Sequence, residues 1–213
     1  MIGMNVDPLN PSGAPAPQTL FGLGVRWVRL VSRRGVEPYV QSCQQAGLMV
    51  LAVVTEESGG YLCPADCYQI GNEPDVDGTL DSMAPDTYVD YWHLYRGTYR
   101  DVLMIGAGLG AGQPDYWAAV QQAGGLSGAA GFGAHPYAKT ATEARHLLQA
   151  YKGITPELPL WVDEWNRPVG EIPAFVAMLR QQAVMHAWFC WSDGMVPGFG
   201  LSPAKSRMLT AAA

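Results

Sequence analysis

At 213 residues, with 48% hydrophobic and only 15% charged residues, the chain carries enough apolar side chain for one large core, which excludes an intrinsically disordered polypeptide. A formal net charge of -6, with 13 basic residues scattered along the sequence, offers no extended basic surface and excludes a nucleic-acid partner. No stretch reaches the roughly 18 apolar residues of a membrane span, so no membrane partner is expected.

In chain order, short apolar and β-branched runs alternate with amphipathic or Ala-rich segments, each punctuated by Gly or Pro. That order predicts an α/β fold with a parallel sheet. Eight strands are read, at Ile2 to Val6, Val25 to Leu30, Leu48 to Val54, Tyr68 to Gly71, Val102 to Ala107, Gly131 to Ala134, Leu160 to Asp163 and Ala187 to Trp191. Helices are predicted at Pro17 to Phe21, Val36 to Ala46, Pro85 to Arg100, Pro114 to Ala123, Thr142 to Tyr151 and Pro173 to Met185, with a last one from Pro203 onwards. The third connection, Thr55 to Cys67, is rich in Glu, Ser, Gly, Pro and Cys and reads as a loop in place of a helix.

Eight strand and helix units in this length leave roughly 27 residues each, close to the minimum for a (β/α)8 barrel. The expectation is therefore one compact barrel over residues 1-213, with short loops, folding as a monomer. Met1 to Asp7 reads as a strand and not as a charged leader, so no export signal is expected, which leaves a cytoplasmic protein or one released by lysis.

Four cysteines are too few for a disulfide scaffold. Cys43 and Cys190 fall on apolar segments, as small buried thiols do. Cys63 and Cys67 flank Pro-Ala-Asp in the loop, where a local disulfide can form. No second CxxC or HxxxH pair completes a zinc site with them.

In a (β/α)8 barrel, chemistry sits where strands end at their carboxyl side. Here those positions are polar and aromatic: Asn5 and Asp7, Arg29, Thr55 and Glu56, Asn72, Glu73 and Asp75, His135 and Tyr137, Glu164 and Trp165, then Trp191 and Asp193. Two carboxylates, Glu73 and Glu164, close strands four and seven, which face each other across the barrel mouth. Cleavage of a glycosidic bond with retention needs two carboxyl groups about 5 to 5.5 Å apart, one to protonate the leaving oxygen and one to attack the anomeric carbon.

The segment Ile70-Gly71-Asn72-Glu73-Pro74 resembles the Asn-Glu-Pro signature at the end of strand four in clan A glycoside hydrolases. Leu160-Trp161-Val162-Asp163-Glu164-Trp165 resembles the strand-seven nucleophile motif of that clan. Arg29 on strand two, His135-Pro136-Tyr137 after strand six and Trp191 on strand eight extend the likeness over the whole chain. Among these enzymes, the His-x-Tyr and Glu-Trp-Asn segments bring the chain nearest to the family 39-like group acting on xylosides, iduronides or bacterial exopolysaccharides.

The resemblance implies a retaining glycoside hydrolase with Glu73 as acid/base and Glu164 as nucleophile. It further implies that Asn72 binds the sugar 2-hydroxyl, that Arg29 and Tyr137 keep Glu164 ionised, and that His135 lines the cleft. Trp191 would form a sugar platform, with Trp165, Asn5 and Asp7 as further substrate contacts. Neither a cofactor nor a metal is required. The chain is shorter than most of these enzymes, which implies an open groove and a polymeric carbohydrate substrate.

Two rival readings remain. A metal-dependent hydrolase could use His93, His135, His146 and His186, although no His-x-His follows strand one. A catalytically silent carbohydrate-binding barrel is the other. Gly106-Ala107-Gly108-Leu109-Gly110 lacks the spacing of a dinucleotide loop and reads as a tight strand-end turn.

Overall fold

The computed structural model describes residues 1-79, 81-110 and 112-212. Eight parallel strands, β1 (Ile2–Asn5), β2 (Trp27–Val31), β3 (Met49–Val54), β4 (Cys67–Asn72), β5 (Met104–Leu109), β6 (Phe132–Ala134), β7 (Leu160–Trp165) and β8 (Met185–Trp188), pair in sequence order. Pairing of β1 with β8 closes them into a barrel. Among the described residues seven helices surround it: α1 (Pro17–Gly22), α2 (Glu37–Gln45), α3 (Pro85–Thr98), α4 (Pro114–Gln122), α5 (Ala141–Ile154), α6 (Ile172–Gln182) and α7 (Pro203–Ala212). Between β3 and β4 the chain makes a single 3-10 turn, Glu56–Ser58, and no helix, as the composition of that segment predicts.

Local chemistry accounts for the helix starts. Proline stands in the first turn of α1, α2, α3, α4 and α6, where its missing N–H is no loss. Helix α5 opens on a reciprocal capping box between Thr140 and Glu143.

Strand alternation divides the core in two. Side chains such as Val28, Val50, Ile70, Val162 and Trp188 point outward and pack under the helices. A separate cluster of Trp27, Leu51, Cys67, Ile105, Trp161, Met185 and Ala187 fills the lower barrel, with the Trp27 and Trp161 rings meeting edge to face at 5.1 Å. Two residues further along their strands, the inward positions become Arg29 and Gln69, both buried. The barrel interior thus changes from apolar to polar toward the carboxyl ends of the strands, where a site can form.

Three sequence readings are corrected. Strand eight starts earlier than predicted and ends at Trp188, beyond which Cys190 and Trp191 bond to Phe199 and Asn5 outside the regular sheet. The Gly106 to Gly110 segment is no turn: β5 runs through it to Leu109. Cys63 and Cys67 are buried free thiols, as are Cys43 and Cys190, and Cys67 belongs to the barrel interior.

Candidate active site

The site is organised around Arg29, whose guanidinium reaches five side chains from β1, β4 and β7. Its Nε donates to Gln69 Oε1 at 2.9 Å and Nη1 to both Asn5 Oδ1 and Glu164 Oε1 at 2.7 Å. Nη2 donates to Asn72 Oδ1 at 2.6 Å and lies 3.3 Å from Asp163 Oδ2. Burial opposes the charge on Arg29, but Glu164 and Asp163 outweigh it and raise the pKa further. Buried charges persist when they are paired and hydrogen-bonded, as here.

Glu164 is held from two sides, by Arg29 on Oε1 and by Tyr137, whose hydroxyl donates to Oε2 at 3.0 Å. Burial and the neighbouring Glu164 carboxylate push the Tyr137 phenol far above its ordinary range, so it remains a donor. Opposite stands Glu73. Its backbone lies in the left-handed region at φ 52°, a conformation costly for a non-glycine residue and tolerated where the surroundings enforce it. One oxygen of Glu73, one of Glu164 and a ring nitrogen of His135 all lie within 4.8 Å of one another.

His135 is fully buried beneath Glu73 and does not line the cleft as expected. Its Nδ1 lies 2.8 Å from Glu73 Oε1 and its Nε2 3.1 Å from Asp163 Oδ2. Burial would lower the pKa of His135, but Glu164, Asp163 and Glu73 together raise it to about 10, so both nitrogens carry protons and donate. The hydrogen bond from His135 in turn holds the Glu73 carboxyl below its usual range. Burial works against ionisation of Asp163, but the His135 and Arg29 charges lower its pKa.

Small residues make room for this chain of contacts. A Cβ on Gly108 would strike His135 Nε2 and come within 2.5 Å of Asp163 Oδ2, and one on Gly133 would lie 2.7 Å from Asp163 Oδ1. A Cβ on Gly110 would come within 2.6 Å of the Glu73 carboxyl carbon. The pairing of β7 with β8 shifts register between Val162 and Trp165. Such a bulge re-aims side chains, and it allows the consecutive residues Asp163 and Glu164 both to approach Arg29.

These groups border a cavity of about 660 Å³, lined by Asn5, Asp7, Arg29, Asn72, Glu73, Tyr137 and Glu164 among others. Asp7 sits on its rim in an ion pair with Arg33. Besides His135, two more expected contacts are absent from the wall. Trp165 is sealed between β7 and α6, its ring stacked on Phe175 at 5.3 Å and edge-on to Trp188, so it cannot meet a sugar. Trp191 packs against the hydrophobic core, and the aromatic wall is formed by Phe189 and Phe199.

Gln69 and Asp163 were missed by the sequence reading. Gln69 carries a signal, because it stands at an inward position two residues beyond an apolar one on β4. Asp163 carries the same signal, two residues beyond the inward Trp161 on β7, whereas Glu164 falls on the outward phase of the alternation and reaches the site through the register shift.

The trio Glu73, His135 and Glu164 also has the composition of a metal-ligand set. A cation there would compete with Arg29, 2.7 Å from Glu164, and with a protonated His135. The charges present do not fit a metal.

No family model and no curated protein sequence matches the chain. Solved structures do match in fold. A family 128 subgroup V exo-β-1,3-glucanase from Cryptococcus neoformans superposes with a TM-score of 0.74 at 13% identity, covering 99% of this chain and 98% of that one. A subgroup IV endo-β-1,3-glucanase from Lentinula edodes gives 0.74 at 13% identity, with 98% of each chain covered. A family 51 α-L-arabinofuranosidase from Bifidobacterium longum gives 0.66 at 12% identity, covering 99% of this chain and 72% of that one. The chain shares its (β/α)8 fold with these glycoside hydrolases over almost its whole length.

Proposed function

We propose that this protein is a retaining glycoside hydrolase of the clan A type, with Glu164 as nucleophile and Glu73 as acid/base. The observation that carries the reading is the approach of the two carboxylates, oxygen to oxygen within 4.8 Å, at one cavity at the carboxyl ends of the strands. That spacing suits direct attack on a sugar carbon. An inverting enzyme needs about 6.5 to 9.5 Å to admit a water between carboxylate and sugar. The shared fold with β-1,3-glucanases and arabinofuranosidases supports the same reading and does not select the sugar.

The division of roles follows from the partners. Glu164 is fixed by Arg29 and Tyr137 as an anion facing the cavity, as a nucleophile must be. Glu73 is hydrogen-bonded to His135, so the two share one dissociable proton. When substrate displaces water from the cavity, the charged pair becomes costly, and transfer of the proton from Nδ1 to Glu73 leaves both groups neutral. Glu73 then protonates the leaving oxygen as Glu164 attacks, giving a glycosyl ester on Glu164. In the second step Glu73 takes a proton from the attacking water, the ester is cleaved, and the proton returns to His135.

A glycan hydrolysis screen tests this, with Glu164→Gln as the inactive control. Glu164→Ala should abolish turnover. Glu73→Ala should lose most activity and regain part of it with azide, which needs no general base. Full activity in Glu73→Ala would overturn the assignment. Product analysis by NMR before mutarotation should give the anomer of the substrate.

A further inference from the structure

A second cavity of about 420 Å³ adjoins the first, and Tyr137 and Phe199 line both. Its other walls include Asn166, Arg167 and Lys205. In the first cavity, Arg29 and Arg33 are each in ion pairs with carboxylates. The second differs. Lys205 Nζ donates to Asn166 Oδ1 at 3.2 Å and to Gly200 O at 3.4 Å, both neutral acceptors, and pairs with no carboxylate among the described residues.

Arg167 stands beside it in a fixed position. Its guanidinium donates to the carbonyls of Ala138 and Lys139 and lies over the Phe175 ring, 4.6 Å from the centroid. Its one acidic neighbour among the described residues is Glu171, a half-exposed side chain 3.9 Å away. Two preorganised cations with an incomplete complement of negative charge thus line a cavity that shares Tyr137 and Phe199 with the one holding Glu164. Asn166 holds Lys205 against the shared wall, since it accepts from Lys205 Nζ and its own Nδ2 donates to Phe199 O at 2.5 Å.

We propose that this second cavity is a subsite for an anionic substituent, a carboxylate or a sulfate ester, on the sugar unit next to the one held between Glu73 and Glu164. The inference rests on the glycosidase reading and adds a substrate class, an acidic glycan. A net charge of -6 supplies no long-range attraction for such a polymer, so recognition depends on local cations of this kind. Arginine and lysine at a concave, partly dehydrated wall bind carboxylate and sulfate oxygens through charge-assisted hydrogen bonds.

The test compares neutral glycans with their uronate and sulfated counterparts, for wild type and Lys205→Gln. Wild type should favour the acidic member of the pair through KM. Lys205→Gln should raise KM for it about fivefold, with kcat and the neutral substrate little changed. Uronate and sulfate arms separate the two sources of charge. Equal KM for neutral and acidic members, or an equal effect of Lys205→Gln on both, overturns the subsite while leaving the glycosidase reading intact. If no glycan is cleaved, affinity electrophoresis decides: retardation by acidic glycans that salt and Lys205→Gln both abolish supports the subsite, and its absence overturns it.

Discussion

His135 Nδ1 lies 2.8 Å from Glu73 Oε1, and the same ring reaches Asp163 Oδ2 with its other nitrogen at 3.1 Å. One imidazolium therefore joins the acid at the cavity to an acid fully buried behind it. This linkage has a calculable effect on stability. His135 is raised from 6.5 to about 10, so its contribution is complete below pH 6.5 and is lost as pH rises toward 10. Glu73 and Asp163 are both lowered, so their contributions are present above pH 4.5 and 3.8 respectively and are lost as pH falls through their folded values. Thermal melts should show a plateau from about pH 4.5 to 6.5 with decline on both sides, and His135→Gln should flatten the alkaline decline. An unchanged alkaline slope in the variant would show that the imidazole carries no charge in the fold.

The same substitution addresses chemistry. With His135 present, the proton available to the leaving group belongs to the His135 and Glu73 pair and is lost only at alkaline pH. Without it, Glu73 must hold the proton alone. The alkaline limb of kcat/KM should therefore move to lower pH in His135→Gln, since that limb reports the free enzyme's essential acid. A limb that stays in place while kcat falls would assign His135 a purely positional role.

The barrel and the two carboxylates were legible because their signals are local. Apolar runs separated by turn residues mark the strands, and Glu73 follows β4 directly while Glu164 stands at the carboxyl end of β7. What escaped depends on register. That the consecutive residues Asp163 and Glu164 both reach Arg29 follows from the register shift between β7 and β8, and Trp165, one residue beyond Glu164, is turned outward against Phe175. Trp191 was expected to end a strand that in fact stops at Trp188, so the aromatic wall falls to Phe189 and Phe199. The function of Gly108 and Gly110 is invisible in one dimension, because the atoms they make room for come from residues just beyond β4 and β6 and from β7.

Those two glycines separate fold from catalysis. Gly110→Ala would press on the carboxyl end of Glu73, a side chain partly exposed and able to swing aside. The fold should survive with little change in Tm, while displacement of the proposed acid by about 1 Å should cost roughly 100-fold in kcat. Gly108→Ala would meet His135 and Asp163, both rigid and fully buried. It should lower Tm strongly or prevent folding. Circular dichroism melts alongside initial rates would distinguish the two, and equal effects on Tm would refute the contrast.

Arg29 makes the largest demand on its exact side chain. Its planar fork donates to Gln69, Asn5, Glu164 and Asn72 at once, a geometry lysine cannot reproduce from a single ammonium. Arg29→Met would leave Glu164 and Asp163 buried together with only His135 to balance them. Removal of one partner from a buried pair costs about 3 to 5 kcal/mol. Some of that loss should return on acidification, because protonating a carboxylate removes the uncompensated charge. Arg29→Lys keeps the charge, so it should fold better than Arg29→Met yet remain impaired in kcat, with Asn72 and Glu164 no longer held in common. Denaturant titrations at pH 7 and pH 5 check the first claim; if Arg29→Met were as stable as wild type at both, the guanidinium would not be what holds the two acids together.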